Sequence, residues 1–371
     1  MINVFLVVRW PVGGIRTFIN YVYSNWGSPE IQLHILTPDL PEVDVLKNQL
    51  QHRDCVWYST ASDTPDFKEF SGAALSVIRS NHFDLIHAHG FTSAFAVAWL
   101  LPFIRARAIF TSHDVLNAAQ FAGFTGRVKK ILFPLLLNRF DCIHSVSAAA
   151  QQNLFETLPL ISRSKAKVIS NGVDTERFYS AEAVDLKGEL NLPMGVTLIG
   201  FFGRFMSQKG FKFLVNAMVR LEEDYPSNYR VVCFGSGGFI REEKVDLERR
   251  NLSHLFYFHD FVPDTAPYVK ACDMVAMPSL WEACGLVAME VLTAGVPLVA
   301  TSCGGLSEVC QGTPAILVSP ANTDELYEAI LELKKEGKSP FIDFSPSAKE
   351  AFSIKSTIES LQALYAQLAR R

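Results

Sequence analysis

Residues 274–300 read MVAMPSLWEACGLVAMEVLTAGVPLVA. The apolar run Met274–Met277 predicts a buried strand, and the proline and serine after it predict a turn. We then expect a helix that begins near Gly285 and ends near Ala294, where another glycine follows. A second apolar run, Pro297–Ala300, predicts the next strand. Strand, helix and strand in this order form a parallel α/β unit, which sets the fold class.

Units of the same kind extend along the whole chain, in two series separated by a polar break at Ser180–Pro193. The first series has predicted strands at Val4–Val8, Gln32–Leu36, Leu85–Ala88, Ala108–Thr111 and Cys142–Val146. The second has them at Thr197–Phe202, Tyr229–Phe234, Leu255–Phe258, Met274–Met277, Pro297–Ala300 and Ala315–Leu317. Two series predict two doubly wound, Rossmann-like α/β domains that face each other across a cleft.

The break places the predicted domains at residues 1–182 and 183–350. The remaining tail, residues 351–371, carries apolar side chains at the spacing of one helical face. This spacing predicts a helix that can pack on either domain, including a return to the first.

Composition limits the classes of protein that this chain can be. Hydrophobic residues make up 49% of the 371 residues and charged residues 19%, which is enough for two buried cores and excludes a disordered chain. The net charge is −4, so nothing in the charge balance favours nucleic acid as a partner.

Cysteine usage and hydropathy predict a cytoplasmic protein. The seven cysteines are scattered and contain no C-x-x-C pair, which is typical of reduced core thiols and offers no zinc-ligand spacing. The apolar run at Ile2–Val8 is stopped by Arg9, so we interpret it as a first strand rather than a leader or a membrane span.

Two cations follow the first strand of the second series, where residues 200–210 read GFFGRFMSQKG. The strand ends at Gly203. Arg204 comes directly after it, and Lys209 follows five residues after Arg204. The forked guanidinium and the mobile ammonium both suit a pyrophosphate, whose charge grows as it leaves in the transition state. The alternative is a pair of surface cations near a helix start.

The predicted helix at Gly285 offers a second anion site. Its first turn has backbone N–H groups without intrahelical partners, and the positive end of the helix dipole lies there. Glu282 precedes the helix and Glu290 lies within it, about 7.5 Å along the axis from Gly285. Two carboxylates beside an anion site could accept hydrogen bonds from both ends of a sugar nucleotide. The alternative is a solvated helix residue and a loop charge.

Three histidines and a glycine pair follow predicted strands of the first domain. Gly13 and Gly14 would let the backbone approach a phosphate or sugar closely, although a tight turn also needs such residues. His87, His89 and His113 lie at strand ends, where open α/β sheets bind ligands. Each could instead be a hydrogen-bonded residue of the core or of a loop.

The passage from Pro278 to Val309 resembles the Glu-x7-Glu motif region of the family 4 glycosyltransferases over about thirty residues. These are group 1 glycosyltransferases, retaining enzymes with the GT-B fold. The resemblance implies that Glu282 contacts the transferred sugar and that Glu290 contacts the nucleotide ribose. The backbone amides implied to bind the sugar and phosphate are those of Gly285, Leu286 and Val287.

The same resemblance assigns roles to other passages. The Gly203–Gly210 segment is similar to the family's Gly-Arg…Lys-Gly element, and Gly13-Gly14 to its donor-facing loop. The run Thr111-Ser112-His113-Asp114 resembles the family's histidine that touches the transferred sugar, which makes His113 the first candidate and His89 the second, on the acceptor side. We expect the glycine cluster that begins at Gly235 to turn near the nucleotide.

The resemblance implies an enzyme that moves a hexose-type sugar from a UDP- or GDP-linked donor to a saccharide or lipid-linked acceptor, in polysaccharide or glycolipid synthesis. The sequence contains no Asp-x-Asp, so we expect no metal and no cofactor, with Arg204 and Lys209 supplying the positive charge. The alternatives are a sugar-nucleotide-binding protein without turnover, or an NDP-sugar epimerase or phosphorylase on the same fold.

Basic and apolar residues alternate along Gly123–Phe140. The favoured interpretation is a buried helix kinked at Pro134. The alternative is a helix that lies on an anionic membrane and gives the protein a peripheral position at its inner face.

Overall fold

The computed structural model describes residues 1–27 and 30–370. They divide into two compact units, which we call unit 1 (residues 1–171 and 354–371) and unit 2 (residues 172–353). Each unit is a parallel sheet with helices around it. The predicted α/β class with two Rossmann-like domains is therefore confirmed.

The sheet of unit 1 has seven strands in the order β3-β2-β1-β4-β5-β6-β7. The strands are β1 (Ile2–Val8), β2 (Ile31–Thr37), β3 (Cys55–Ser59), β4 (Leu85–His89), β5 (Arg107–Ser112), β6 (Cys142–Ser145) and β7 (Ala166–Val168). The helices before residue 171 are α1 (Gly14–Ser24), α2 (Pro41–Gln49), α3 (Phe67–Ser80), α4 (Phe91–Ala98), α5 (Gly123–Leu137) and α6 (Ala148–Thr157). Between β1 and β4 the chain reverses its direction across the sheet, so the carboxyl ends of these two strands form the switch point.

Two strands of unit 1 are not predicted by the sequence. Strands β3 and β7 lie at the two edges of the sheet and contain exposed residues such as Val56 and Lys167. Neither strand contains a buried residue, because an edge strand is covered on fewer sides than a central one. All five residues of β1 from Val4 to Val8 are fully buried.

The sheet of unit 2 has six strands in the order β10-β9-β8-β11-β12-β13. The strands are β8 (Thr197–Phe202), β9 (Tyr229–Phe234), β10 (Phe256–His259), β11 (Met274–Met277), β12 (Leu298–Thr301) and β13 (Ile316–Val318). The helices are α7 (Thr175–Ser180), α8 (Leu186–Glu189), α9 (Phe211–Asp224), α10 (Ile240–Arg249), α11 (Ala266–Ala271), α12 (Leu286–Thr293), α13 (Gly304–Cys310), α14 (Thr323–Glu336) and α15 (Ser339–Ala351). The chain reverses between β8 and β11, which places the switch point of this sheet at their carboxyl ends.

The division between the units falls after Asn171 rather than at the predicted residue 182. Helix α7 packs on α12 and α15 of unit 2, and the backbone N–H of Val173 donates to the carbonyl of Phe352 at 2.8 Å. The polar break seen in the sequence therefore lies inside unit 2, after its first helix. Unit 2 also extends beyond the predicted residue 350, to Ser353.

The last helix, α16 (Ile354–Ala369), belongs to unit 1. It packs on α1 and β4 and buries the apolar face whose spacing predicts a helix in this tail. Its Tyr365 is buried between Tyr23 and His87, with a hydroxyl 2.6 Å from a partner atom on each side.

Helix α5 corrects the prediction of a buried helix at Gly123–Phe140. The turn around Pro134 and Leu137 is buried, but Phe124 is 81% exposed and Ile131 is 57% exposed. Only one side of α5 packs on the unit, where Phe133 contacts Phe95 with ring centroids 4.3 Å apart. The burial prediction is therefore wrong for most of the helix.

All seven cysteines are free thiols, and five of them are buried, which confirms the prediction of reduced core cysteines. Within the described parts of the chain, no helix combines the length and the apolar character needed to cross a membrane.

Candidate active site

The loops after three neighbouring strands of unit 2 bring the predicted donor-site residues together. Gly203 and Arg204 follow β8, Gly235 follows β9, and Glu282 follows β11. Strands β9, β8 and β11 are neighbours in the sheet, so these loops emerge at one edge, around the switch point.

Glu282 and Lys209 form a close ion pair at this edge. The Lys209 ammonium donates to Oε1 of Glu282 at 2.6 Å, and the Ser279 hydroxyl donates to the same oxygen at 2.8 Å. The Glu282 side chain is 8% exposed, and the Lys209 side chain is 21% exposed. The other carboxylate oxygen, Oε2, makes no hydrogen bond with any described residue and is left to accept one from a ligand.

Backbone contacts hold the two loops that carry this pair. The side-chain amide of Gln208 donates to the backbone carbonyl of Trp281 at 2.8 Å. The backbone N–H of Leu280 donates to the backbone carbonyl of Gln208 at 2.7 Å. The N–H of Gly305, in α13, donates to the carbonyl of Glu282 at 2.8 Å. Hydrogen bonds to the carbonyls of Trp281 and Glu282 thus hold the backbone that positions the Glu282 carboxylate.

Two glycines allow these loops to approach so closely. A Cβ on Gly210, whose φ is +65°, would lie 1.9 Å from the carbonyl oxygen of Pro278. A Cβ on Gly235, whose φ is +150°, would lie 1.9 Å from the carbonyl oxygen of Gly203. Any larger residue at either position would push the loops apart, so the glycines are a condition for the site.

Helix α12 begins at Leu286, next to the start that the sequence predicts near Gly285. Gly285 is its N-cap residue and provides no side-chain cap, so the first-turn N–H groups at Leu286 and Val287 lack the partner that a capping side chain gives. Glu290 lies one turn further on and is buried. The side chain of Arg204 is half-buried and makes no hydrogen bond or ion pair within residues 1–27 and 30–370.

The other predicted residues lie in unit 1, around the carboxyl ends of β1, β4 and β5. Gly13 is the N-cap residue of α1, with φ of +57°, and Gly14 is the first residue of that helix. Nδ1 of His89 lies 3.0 Å from Nε2 of His113, and the ring of Phe18 meets His113 edge-on with centroids 5.0 Å apart. The structure therefore brings the two candidate histidines into contact.

Sequence reasoning missed two members of this histidine cluster. His144, on β6, lies 2.8 Å from the Thr111 hydroxyl, and Tyr365, on α16, lies 2.6 Å from Nδ1 of His87. His144 lies in the middle of the predicted strand Cys142–Val146, and a polar ring inside a buried strand was a usable signal. Tyr365 carried no signal, because its partner lies 278 residues earlier in the chain.

Burial keeps the histidines of this cluster neutral. It lowers the pKa of His87, His89 and His113 well below the ordinary value, and the neighbouring imidazoles lower it further. The pKa of His144 is lowered by burial to about 4, against a smaller opposite effect of its hydrogen bond to Ile169. Neutral imidazoles can donate and accept one hydrogen bond each.

Residues 12–177 match the family model described as Glycosyltransferase Family 4, and residues 196–336 match the one described as Glycosyl transferases group 1. The chain is a family 4, group 1 glycosyltransferase. The predicted family and the predicted class of enzyme are both confirmed.

Known glycosyltransferases align with most of this chain. An uncharacterized glycosyltransferase of Methanocaldococcus jannaschii is 26% identical over 96% of this chain and 95% of its own length. The D-inositol 3-phosphate glycosyltransferase of Corynebacterium jeikeium is 28% identical over 81% of this chain and 76% of its own. HepE from Anabaena, solved in complex with UDP and glucose, covers 99% of this glycosyltransferase and 100% of itself with a TM-score of 0.83 at 20% identity, which shows the shared GT-B fold.

Across residues 1–27 and 30–370, no three His, Cys, Asp or Glu side chains are grouped so that they could hold a metal ion. The cations of this glycosyltransferase at the switch point of unit 2 are Arg204 and Lys209.

Proposed function

We propose that this glycosyltransferase moves a hexose-type sugar from a nucleotide-diphosphate sugar to a saccharide or lipid-linked acceptor, with retention at the anomeric carbon and without a metal. One observation carries the proposal: the partly buried Lys209–Glu282 pair lies in the same loop framework as the uncapped start of α12 and as Arg204, which has no partner among the described residues. The complex of HepE with UDP and glucose supports a donor of this class.

The charges suit a diphosphate leaving group. When the bond from the sugar to the phosphate breaks, negative charge grows on the phosphate oxygens. Arg204, Lys209 and the N–H groups at the start of α12 are positive groups that would stabilise this charge in place of a divalent ion. The free Oε2 of Glu282 would accept a hydrogen bond from a sugar hydroxyl, and Glu290 would bind the ribose.

Retention in a single displacement requires the acceptor to attack from the side that the phosphate leaves. We propose that the leaving phosphate takes the proton of the acceptor hydroxyl, and that His113 hydrogen-bonds a hydroxyl of the transferred sugar. The Gly13-Gly14 turn would receive the donor, and His89 would lie on the acceptor side.

A donor and product assay tests the proposal. The protein is incubated with UDP- and GDP-linked hexoses and saccharide or lipid-linked acceptors, with and without EDTA, and proton NMR follows the anomeric signal of the first product. We expect nucleoside diphosphate release only when an acceptor is present, unchanged turnover in EDTA, and the anomeric configuration of the donor in the product.

Each alternative gives a different result in this assay. Turnover that EDTA abolishes and Mg²⁺ restores would overturn metal independence, and an inverted product would overturn retention. Tight donor binding with no release in any mixture would favour a binding protein. A change of the sugar without an acceptor would favour an epimerase, and release driven by phosphate alone would favour a phosphorylase.

The exposed side of α5 supports a membrane-presented acceptor. Its apolar residues recur at helical spacing and are all exposed: Phe124, Val128, Ile131, Leu132 and Leu135. Exposed basic side chains flank this row: Arg127, Lys129 and Lys130. A helix with an apolar row and basic flanks is built for the surface of an anionic bilayer, so we propose that α5 holds the protein there.

Replacing Ile131 with glutamate should weaken vesicle binding by at least about tenfold, because it removes roughly 1.5–3 kcal/mol of apolar burial and adds a repelled charge. Flotation with phosphatidylcholine vesicles that contain phosphatidylglycerol measures it. Ile342→Glu is the matched control, since Ile342 is equally exposed, at 57%, on α15. Absence of wild-type binding, or equal loss in both variants, would contradict docking through α5.

A further inference from the structure

A chain of buried hydrogen bonds crosses unit 1 behind the candidate histidines. The Tyr365 hydroxyl lies 2.6 Å from Nδ1 of His87, whose Nε2 lies 2.6 Å from the Thr111 hydroxyl. The same hydroxyl lies 2.8 Å from Nδ1 of His144, and Nε2 of His144 lies 3.0 Å from the carbonyl oxygen of Ile169. The four side chains are fully buried or nearly so.

The far end of this chain fixes the direction of every hydrogen bond in it. A carbonyl oxygen only accepts, so Nε2 of His144 must carry the proton, and a neutral imidazole then has a bare Nδ1. Thr111 must donate to that nitrogen and therefore accepts from Nε2 of His87. His87 is left with a bare Nδ1, to which the Tyr365 hydroxyl donates.

The hydrogen bonds from Tyr365 to Ile169 cannot run in the opposite direction, with donors and acceptors exchanged. If Tyr365 accepted from Nδ1 of His87, the Thr111 proton would point to His87, and Nε2 of His144 would face the carbonyl without a proton. Burial lowers the pKa of both His87 and His144, so neither ring carries a second proton at neutral pH. Each ring therefore has one donor and one acceptor nitrogen. The arrangement is a relay with one allowed set of tautomers.

The fixed ring of His87 lies against His89. The two ring centroids are 4.1 Å apart, with 30° between the planes. Nδ1 of His89 is hydrogen-bonded to Nε2 of His113, while Nε2 of His89 is buried and has no hydrogen-bond partner among the residues that the structure describes. An orphaned buried N–H is rarer than an orphaned acceptor. The proton of the pair therefore lies on Nδ1 of His89, and His113 accepts it.

This leaves His113 with its own proton on Nδ1, which makes no hydrogen bond within the described residues. We propose that Tyr365 and His87 are positioning residues: the hydrogen bonds on both ring nitrogens fix the ring of His87, which packs on His89 and holds it in place to donate to His113. His113 then keeps its proton on Nδ1, ready to donate to a hydroxyl of the transferred sugar. The proposal rests on the proposed function, in which His113 meets that sugar. It goes beyond it by assigning a role to α16.

Tyr365→Phe removes the hydroxyl that donates to Nδ1 of His87 and keeps the ring. We expect kcat to fall about tenfold, as for one lost buried hydrogen bond, and the KM of the donor to change less than about twofold. Because the His87 ring loses its Nδ1 partner and no longer holds His89 firmly against His113, nitrogen-15 NMR of the histidine rings should show one Nδ1–H tautomer of His113 in the wild type and a mixture in the variant. Thr111→Val cuts the relay on the other side of His87 and should give the same two changes, even if Tyr365→Phe fails to fold.

Tyr58→Phe is the matched control, because the Tyr58 hydroxyl also lies near a histidine of unit 1, 3.1 Å from Nδ1 of His34. It should leave kcat and the His113 spectrum unchanged. An Nε2–H tautomer of His113 in the wild type would overturn the inference whatever the activity. If instead His113→Ala keeps full activity while the tautomers follow the expected pattern, the role of His113 in the proposed function fails and the relay stands.

Discussion

Replacing Lys209 with methionine should lower kcat/KM for the sugar-nucleotide donor by about 1,000-fold, the largest effect expected from any single substitution in unit 2. The loss has two causes. A positive group that would stabilise the leaving diphosphate disappears, and removal of one such donor typically costs 10²–10³ in rate. The substitution also leaves the Glu282 carboxylate buried, with the Ser279 hydroxyl as its remaining charge-stabilising contact on Oε1.

Steady-state kinetics with the donor selected in the assay above measure this loss. Lys212→Met is the control, because Lys212 is an exposed cation three residues away whose ammonium lies 4.9 Å from the ring of Phe213. The double variant Lys209→Met with Glu282→Gln should lose less than the product of the two single losses, since the two side chains contact each other. Wild-type kinetics in folded Lys209→Met protein would refute the donor site.

Acidification should destabilise the protein steeply below pH 6.5. His144 has a pKa of about 4 in the fold, whereas an unfolded histidine has one near 6.5. Between these values the unfolded chain binds a proton that the folded chain does not. Stability is therefore complete above about pH 6.5 and falls by about 1.4 kcal/mol per pH unit as the pH decreases, to about 3 kcal/mol lost near pH 4 from His144 alone. His87, His89 and His113 act in the same direction.

Calorimetric unfolding at pH 7.5, 6.0 and 5.0 checks this dependence. His144→Gln should reduce the slope by about one proton between pH 6.5 and 4. A midpoint temperature that stays constant from pH 7.5 to 5.0 would show that the buried histidines are already protonated or accessible in the native state.

The sequence indicated the central strands and the candidate donor-site residues for the same reason. Both lie in short, continuous segments of the chain. Strand β8 is a continuous apolar run because both faces of the sheet are covered. Arg204, Lys209 and Glu282 lie in short motifs at strand ends. Edge strand β3 has no buried residue, and its short apolar run at residues 55–58 did not identify it as a strand.

What the sequence could not predict depends on contacts between distant segments. No motif indicates that Lys209 pairs with Glu282, 73 residues later, or that Tyr365 reaches His87. The exposure of α5 also depends on which neighbours pack on it, since its composition fits a buried and a surface helix equally well. Such features follow from the three-dimensional arrangement of each unit and have no local signature.

Because α16 belongs to unit 1, the two units become complete at different times during translation. Unit 2 is one continuous stretch, so it can fold as soon as its own residues have emerged. Unit 1 must wait until all of unit 2 has been translated, because Tyr365 and the apolar face around it arrive afterwards. During that interval the surface of α1 and β4 that α16 will cover is open to water, and a nascent chain stalled there would be a natural client for chaperones.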